Sequence, residues 1–125
     1  MTADFPQEFL VFCLCAAWCG TCRDYRAVFD DLATQFPHAG FHWVDVEEEE
    51  RVADLDVDNF PTLLVQREEL VLFFGPLLPQ PGIARRTLES LFAQTPEESR
   101  RLTASSPAHA AWQAECNLRR MLVER

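Results

Sequence analysis

The sequence predicts one α/β domain: a mixed sheet with helices on both faces, in the order β-α-β-α-β-β-α. Three observations carry this. FLVFCLC, at Phe9–Cys15, is an apolar run with no polar interruption, as in a strand buried on both faces. The segment after it repeats its apolar residues at helical spacing. Two further apolar runs, PTLLVQ and ELVLFF, flank Arg-Glu-Glu closely enough to make a hairpin.

The elements follow in order. In GTCRDYRAVFDDLATQF, residues 20–36, Tyr25, Val28, Phe29, Leu32 and Phe36 share one face, with Arg23, Asp24, Asp30 and Asp31 opposite. Pro37 ends that helix. FHWVDV at 41–46 reads as the second strand. EEEERVADLDV reads as a short acidic helix with Val52 and Leu55 inward, its glutamates solvated in a first turn that the helix dipole favours. The hairpin comes next, and Gly75 ends its second strand. PLLPQPG is a proline-rich connection. IARRTLESLFAQ is a helix with Ile83, Thr87, Leu88, Leu91 and Phe92 as its apolar stripe.

Residues 1–94 contain all of these elements. Residues 95–125 add a helical extension. TPEE at 95–98 is a capping box with Pro96 in the first helical position. SSP at 105–107 opens one further helix, in which Ala111, Ala114, Leu118, Met121 and Leu122 share a face. That face is expected to pack on the same domain. A monomer follows, the alternative being a dimer or a partner docked through these helices.

The composition narrows the function. The chain has 125 residues, 48% of them hydrophobic, with ten Phe and three Trp, enough for a core without disulfide staples. Acidic residues outnumber basic ones by 20 to 11, and the net charge of -9 opposes binding to nucleic acid or an anionic membrane. The amino-terminal MTADFPQEF has no basic n-region, and the apolar run after it is too short to span a bilayer. The expected compartment is therefore the reducing cytoplasm, where a short cysteine pattern is more often catalytic or metal-binding than structural.

Four of the five cysteines lie within CLCAAWCGTC. Cys13 and Cys15 alternate onto one face of the buried strand. Cys19 and Cys22 lie where the first helix opens. The free backbone N–H groups of that first turn, together with the helix dipole, favour a thiolate at Cys19. Cys22, one turn on, is within reach for a small disulfide ring. A Cys-x-x-Cys that opens a helix after a strand is the arrangement dithiol–disulfide exchange requires.

With AAWCGTC followed by FPTLLV and then FFG, the chain resembles the thioredoxin family over residues 9–93. The resemblance implies a thioredoxin-like fold in its minimal, four-stranded version, because the family's usual first strand and helix have little room in the residues before Phe9. It also implies an activity: thiol–disulfide exchange on protein substrates, with no cofactor. Cys19 is then the nucleophile that forms a mixed disulfide, and Cys22 the resolving thiol. Pro61 matches the family's cis-proline, which leaves the backbone of Phe60 facing an extended peptide. Trp18, Gly20, Thr21 and Gly75 border the same groove. A reductase or glutathione system would supply electrons.

Two positions depart from the family. Its buried aspartate beneath the resolving cysteine aligns with Cys13, and the lysine partner of that aspartate aligns with Trp43. Losing both charges together avoids a lone buried ion, and it also removes the usual proton relay. Cys13 is therefore a candidate auxiliary thiol beneath Cys22, set against the ordinary role of a small buried hydrophobe.

Two rival functions compete with exchange. A zinc or iron–sulfur site is disfavoured, because one cysteine pair is embedded in a strand and no second Cys-x-x-Cys exists. His38, His42 and His109 lack cysteines at ligand spacing, with His42 expected to point outward, and Cys116 reads as a packing residue. No metal is expected. The second rival is a client-binding or assembly adaptor that uses the groove around Trp18, Phe60 and Pro61 with little redox turnover.

Overall fold

The computed structural model describes residues 7–16, 18–52, 55, 57, 59–76 and 81–123. The elements run β1 (Phe9–Cys15), α1 (Gly20–Gln35), β2 (Gly40–Asp45), a 3₁₀ turn (Glu50–Val52), β3 (Thr62–Arg67), β4 (Leu70–Pro76), α2 (Pro81–Phe92), α3 (Pro96–Thr103), α4 (Pro107–Glu115) and α5 (Leu118–Val123). The sheet order is β2-β1-β3-β4, with β1 parallel to β2 and the other neighbours antiparallel. This is the mixed four-stranded sheet that the sequence predicts.

Strand β1 explains the architecture. Every one of its residues is buried. Phe9, Val11, Cys13 and Cys15 enter one core with Tyr25, Phe29 and Leu32 of α1 and Ala84, Leu88 and Leu91 of α2. Leu10, Phe12 and Leu14 enter a second core on the opposite face with Val52, Leu118 and Leu122. The two-residue alternation of a strand therefore divides one apolar run between two layers.

The carboxy-terminal helices close that second core. Leu118 is fully buried and Leu122 nearly so, both against β1, β3 and β4. The extension departs from the sequence reading in one respect. One helix was expected after Pro107, and two are found, separated at Cys116 and Asn117. Asn117 accounts for the break. Its Oδ1 accepts from the Arg120 backbone N–H at 3.2 Å, which caps α5, and from Nε2 of the fully buried Gln66 at 2.9 Å. Gln66 in turn accepts the Arg119 backbone N–H at 2.9 Å. With the helix reset there, Ala111 and Ala114 are exposed, and Trp112 and Gln113 turn toward the sheet. The Gln113 amide exchanges two hydrogen bonds with the Val71 backbone, at 2.9 and 2.7 Å, and so occupies part of the open edge of β4.

Local signals held elsewhere. Thr95 and Glu98 form the reciprocal capping box of α3, and Ser106 caps α4 ahead of Pro107. Three expectations are corrected. The acidic helix after β2 is only the 3₁₀ turn Glu50–Val52 within the described residues, because an Asp45 carboxylate oxygen accepts the Glu47 N–H and draws the chain into a turn. Gly75 lies inside β4 opposite Leu63 and does not end the strand. His42 is half-buried and stacks on Phe12 with ring centroids 5.5 Å apart, and burial lowers its pKa. The proline-rich connection at 77–80 lies outside the described residues. Among them, no helix is long and apolar enough to cross a membrane.

Three buried groups give the fold an alkaline limit. Burial pushes the Cys13 thiol up to about 12, against a small opposing pull from Arg26. Burial, and to a lesser degree the neighbouring Cys13, raises Tyr25 to about 12, and burial likewise raises Cys116 to about 11. Below pH 9 these groups are protonated whether the chain is folded or not. Above it the unfolded chain loses protons first, so stability falls as pH rises through 9 to 12. Urea midpoints of the reduced protein are expected to show a loss of roughly 2–4 kcal/mol between pH 8 and 10.5. A flat profile over that interval would mean these groups are not buried as described.

Candidate active site

The site lies where β1 hands over to α1. Cys19 is the N-cap of α1, in extended backbone conformation, and its side chain makes no capping hydrogen bond. Its N–H donates to the Ala16 carbonyl at 3.0 Å, and its own carbonyl accepts from the Arg23 N–H at 3.3 Å. The chain thus turns sharply from strand to helix and leaves the Cys19 sulfur partly exposed above the first turn. Cys22, one turn on, points into the core and is 1% exposed.

The wall opposite is built from β3 and the segment before it. The Phe60–Pro61 peptide bond is cis, as the resemblance implies. The Trp18 ring meets Phe60 edge to face with centroids 5.7 Å apart, and Trp18 is 63% exposed. Gly75 and Pro76 pair with Leu63 and Thr62, which sets this end of β4 beside Pro61. Gly20 and Thr21 form the exposed first residues of α1. One neighbour was not foreseen: the Trp18 indole N–H donates to a Glu47 carboxylate oxygen at 2.7 Å. Glu47 is therefore more than a solvated charge. No local pattern signals it, because the contact joins residues 29 apart in sequence.

The disulfide differs from expectation. Cys22 is bonded to Cys15, with Cα atoms 5.8 Å apart, and Cys19 is free. Cys15 closes β1 on the face that α1 covers, so the first turn of the helix passes directly over it. Cys13, the candidate for the position beneath Cys22, lies one step deeper, its sulfur 3.7 Å from that of Cys15. Cys13 and Cys116 are buried, which leaves Cys19 as the free thiol open to a substrate among the described residues.

The two family departures are neighbours. Cys13 pairs in register with Trp43 across β1 and β2. Trp43 packs edge to face on Phe29, at 5.7 Å between centroids, and the Arg26 guanidinium carbon lies 4.7 Å from the centre of the Trp43 ring. A cation from α1 thus stacks on the indole where the family places its lysine. Among the described residues, no group of three or more His, Cys, Asp or Glu side chains could hold a metal ion.

Comparison with known proteins agrees with this geometry. The thioredoxin family model matches residues 4–72. A thioredoxin H-type protein of Fagopyrum esculentum is 34% identical over 62 residues, covering 49% of this chain and 53% of that one. Thioredoxin H1 of Arabidopsis thaliana is 34% identical over 71 residues, covering 56% and 62%. The chain thus spans little more than half the length of these curated relatives. Among solved structures, thioredoxin from Trypanosoma brucei brucei superposes with a TM-score of 0.62 at 25% identity, over 72% of this chain and 80% of that one. On the family model, the strand-to-helix cysteine pair and the cis-proline together, the chain belongs to the thioredoxin family.

Proposed function

We propose that this chain is a thiol–disulfide oxidoreductase acting on protein disulfides, with Cys19 as the nucleophile and Cys22 as the resolving thiol. The observation that carries this reading is the exposure of Cys19 alone among the free cysteines, at a helix N-terminus beside Trp18 and the cis Phe60–Pro61 bond. The Cys19 thiolate attacks one sulfur of a substrate disulfide, and the other substrate sulfur leaves as a thiolate and takes up a proton. Cys22 then loses its proton and attacks the Cys19 sulfur. The second substrate thiol is released, and the two electrons have passed to the substrate. Trp18, Phe60 and Gly75 border the groove in which an extended substrate would lie. A cytosolic reductase or glutathione returns the electrons.

The adaptor reading has one observation in its favour. While Cys22 is bonded to Cys15, Cys19 can capture a substrate but has no resolving partner. Reduction of a model protein disulfide such as insulin, with a small dithiol as electron source, separates the two readings. Catalysis above the dithiol-only rate is expected. Substrate binding with no acceleration would replace the exchange reading with the adaptor.

A further inference from the structure

Cys22 has two neighbours of opposite character. Cys19 is one helical turn away at the surface, and Cys15 is bonded to it from below, with the sulfur-bearing residues Cys15 and Cys22 each only 1% exposed. The 5.8 Å between the Cα atoms of Cys15 and Cys22 lies within the ordinary disulfide range of about 4.4–6.8 Å, so no backbone movement is needed to bridge them. We propose that Cys15 is an internal exchange partner of Cys22, and that the oxidised protein carries its disulfide in two isomers, Cys19–Cys22 at the surface and Cys15–Cys22 in the core.

The step that connects them balances without any outside reagent. The Cys15 thiol gives up its proton and its sulfur attacks the Cys22 sulfur. The Cys15–Cys22 bond forms, the Cys19–Cys22 bond breaks, and Cys19 leaves as a thiolate that accepts a proton. One thiol and one disulfide are present before and after, so nothing is oxidised or reduced. The reverse step restores the surface bond. Cys13 supports the exchange from the side. Its sulfur lies 3.7 Å from that of Cys15, and its burial keeps it protonated, so it offers an S–H to Cys15 whenever that sulfur is ionised.

The consequence is a shielded store of oxidising equivalents. Once the bond has moved inward, Cys19 is again a free thiol although the protein remains oxidised. External reductants do not reach the inner bond directly, because both of its residues are buried. Electrons enter it through Cys19, which must first attack Cys22. The proposal rests on the exchange reading above, in which Cys22 is the resolving thiol.

Chymotryptic mapping of the oxidised protein tests it. The protein is treated with diamide, acid-quenched, alkylated and cleaved after Trp18 and Tyr25 without reduction. A surface bond leaves the 19–25 peptide internally closed, whereas a core bond cross-links it to the peptide carrying Cys15. The cross-link is expected in the wild type and in Cys13→Ala, and is expected to vanish in Cys15→Ala. In Cys19→Ser the cross-link should persist, and dithiothreitol should reduce it about tenfold more slowly than in the wild type. A wild-type map with the closed 19–25 peptide alone, or a cross-link retained in Cys15→Ala, would overturn the proposal. The wild-type map is decisive even if a variant fails to fold. Insulin reduction read in parallel keeps the two questions apart: turnover without the cross-link removes the inner bond and leaves exchange standing, and the cross-link without turnover does the reverse.

Discussion

Cys19→Ser is expected to lower disulfide reduction by roughly a thousandfold or more, to the rate of the dithiol alone, because the remaining sulfurs of the site are buried and cannot meet a substrate. Cys22→Ser should behave differently. Its Cys19 still attacks, but no second sulfur follows one turn behind, so a mixed disulfide with the substrate should accumulate as a stable covalent adduct. Non-reducing electrophoresis of both variants with a disulfide-bonded substrate reads the contrast directly. An adduct that forms equally well in Cys19→Ser would assign the attack to another sulfur. Cys19→Ser leaves the fold intact, since Cys19 lies only at the margin of the core, whereas Cys22→Ser puts a hydroxyl into the core and is checked by its melting curve before the adduct is read.

Leu118→Ala is expected to be the most damaging single truncation in the carboxy-terminal helices, costing roughly 2–5 kcal/mol. Leu118 is fully buried against Leu10, Phe12 and Leu14 of β1 and against Leu64 and Val71. Its removal opens a cavity under the central strand, and Gln66, Asn117 and Arg119 hold α5 in place, so the gap cannot close by sliding the helix. A domain of this size has a total stability of about 5–15 kcal/mol, so the variant should melt clearly earlier. Ala114→Gly, on the exposed side of α4, provides the contrast and should cost about 1 kcal/mol. Equal losses in the two variants would mean that the extension is an appendage and not a layer of the core.

These outcomes also mark what the sequence made legible. β1 could be read to its end residues because an apolar run with no polar break has one common physical use, a strand covered on both sides. The first helix, the capping box at Thr95 and the cis bond at Pro61 were likewise written in local patterns or in a family motif. The break at Asn117 was not, because it depends on Gln66, 51 residues earlier, presenting a buried amide to that point of the chain. The Glu47 contact to Trp18 escaped for the same reason. The partner of Cys22 was hidden more narrowly. Strand alternation placed Cys13 and Cys15 on the correct face, and only the angle at which α1 leaves β1 decides which of the two sulfurs it covers.

Stacking of Arg26 on Trp43, above Cys13, shows how this chain dispenses with the family's buried charge pair. An ionised carboxylate under the helix would need a partner cation in the core. A thiol held neutral by burial needs none, and the positive charge remains outside on α1, where it also meets Asp30 at 3.3 Å. Beneath Cys19 the core thus holds a row of three sulfurs, those of Cys22 and Cys15 bonded to each other and that of Cys13 beside them.

The reactivity of individual cysteines toward iodoacetamide at pH 7, followed by mass spectrometry of the fully reduced protein, tests the central claim most directly. Cys19 is expected to alkylate first and faster than the same thiol in an unstructured peptide, while Cys13, Cys15 and Cys116 stay unlabelled until the fold is opened with denaturant. Labelling of Cys19 no faster than the peptide, or simultaneous labelling of Cys13, would contradict the assignment of Cys19 as the nucleophile held ready at the start of α1.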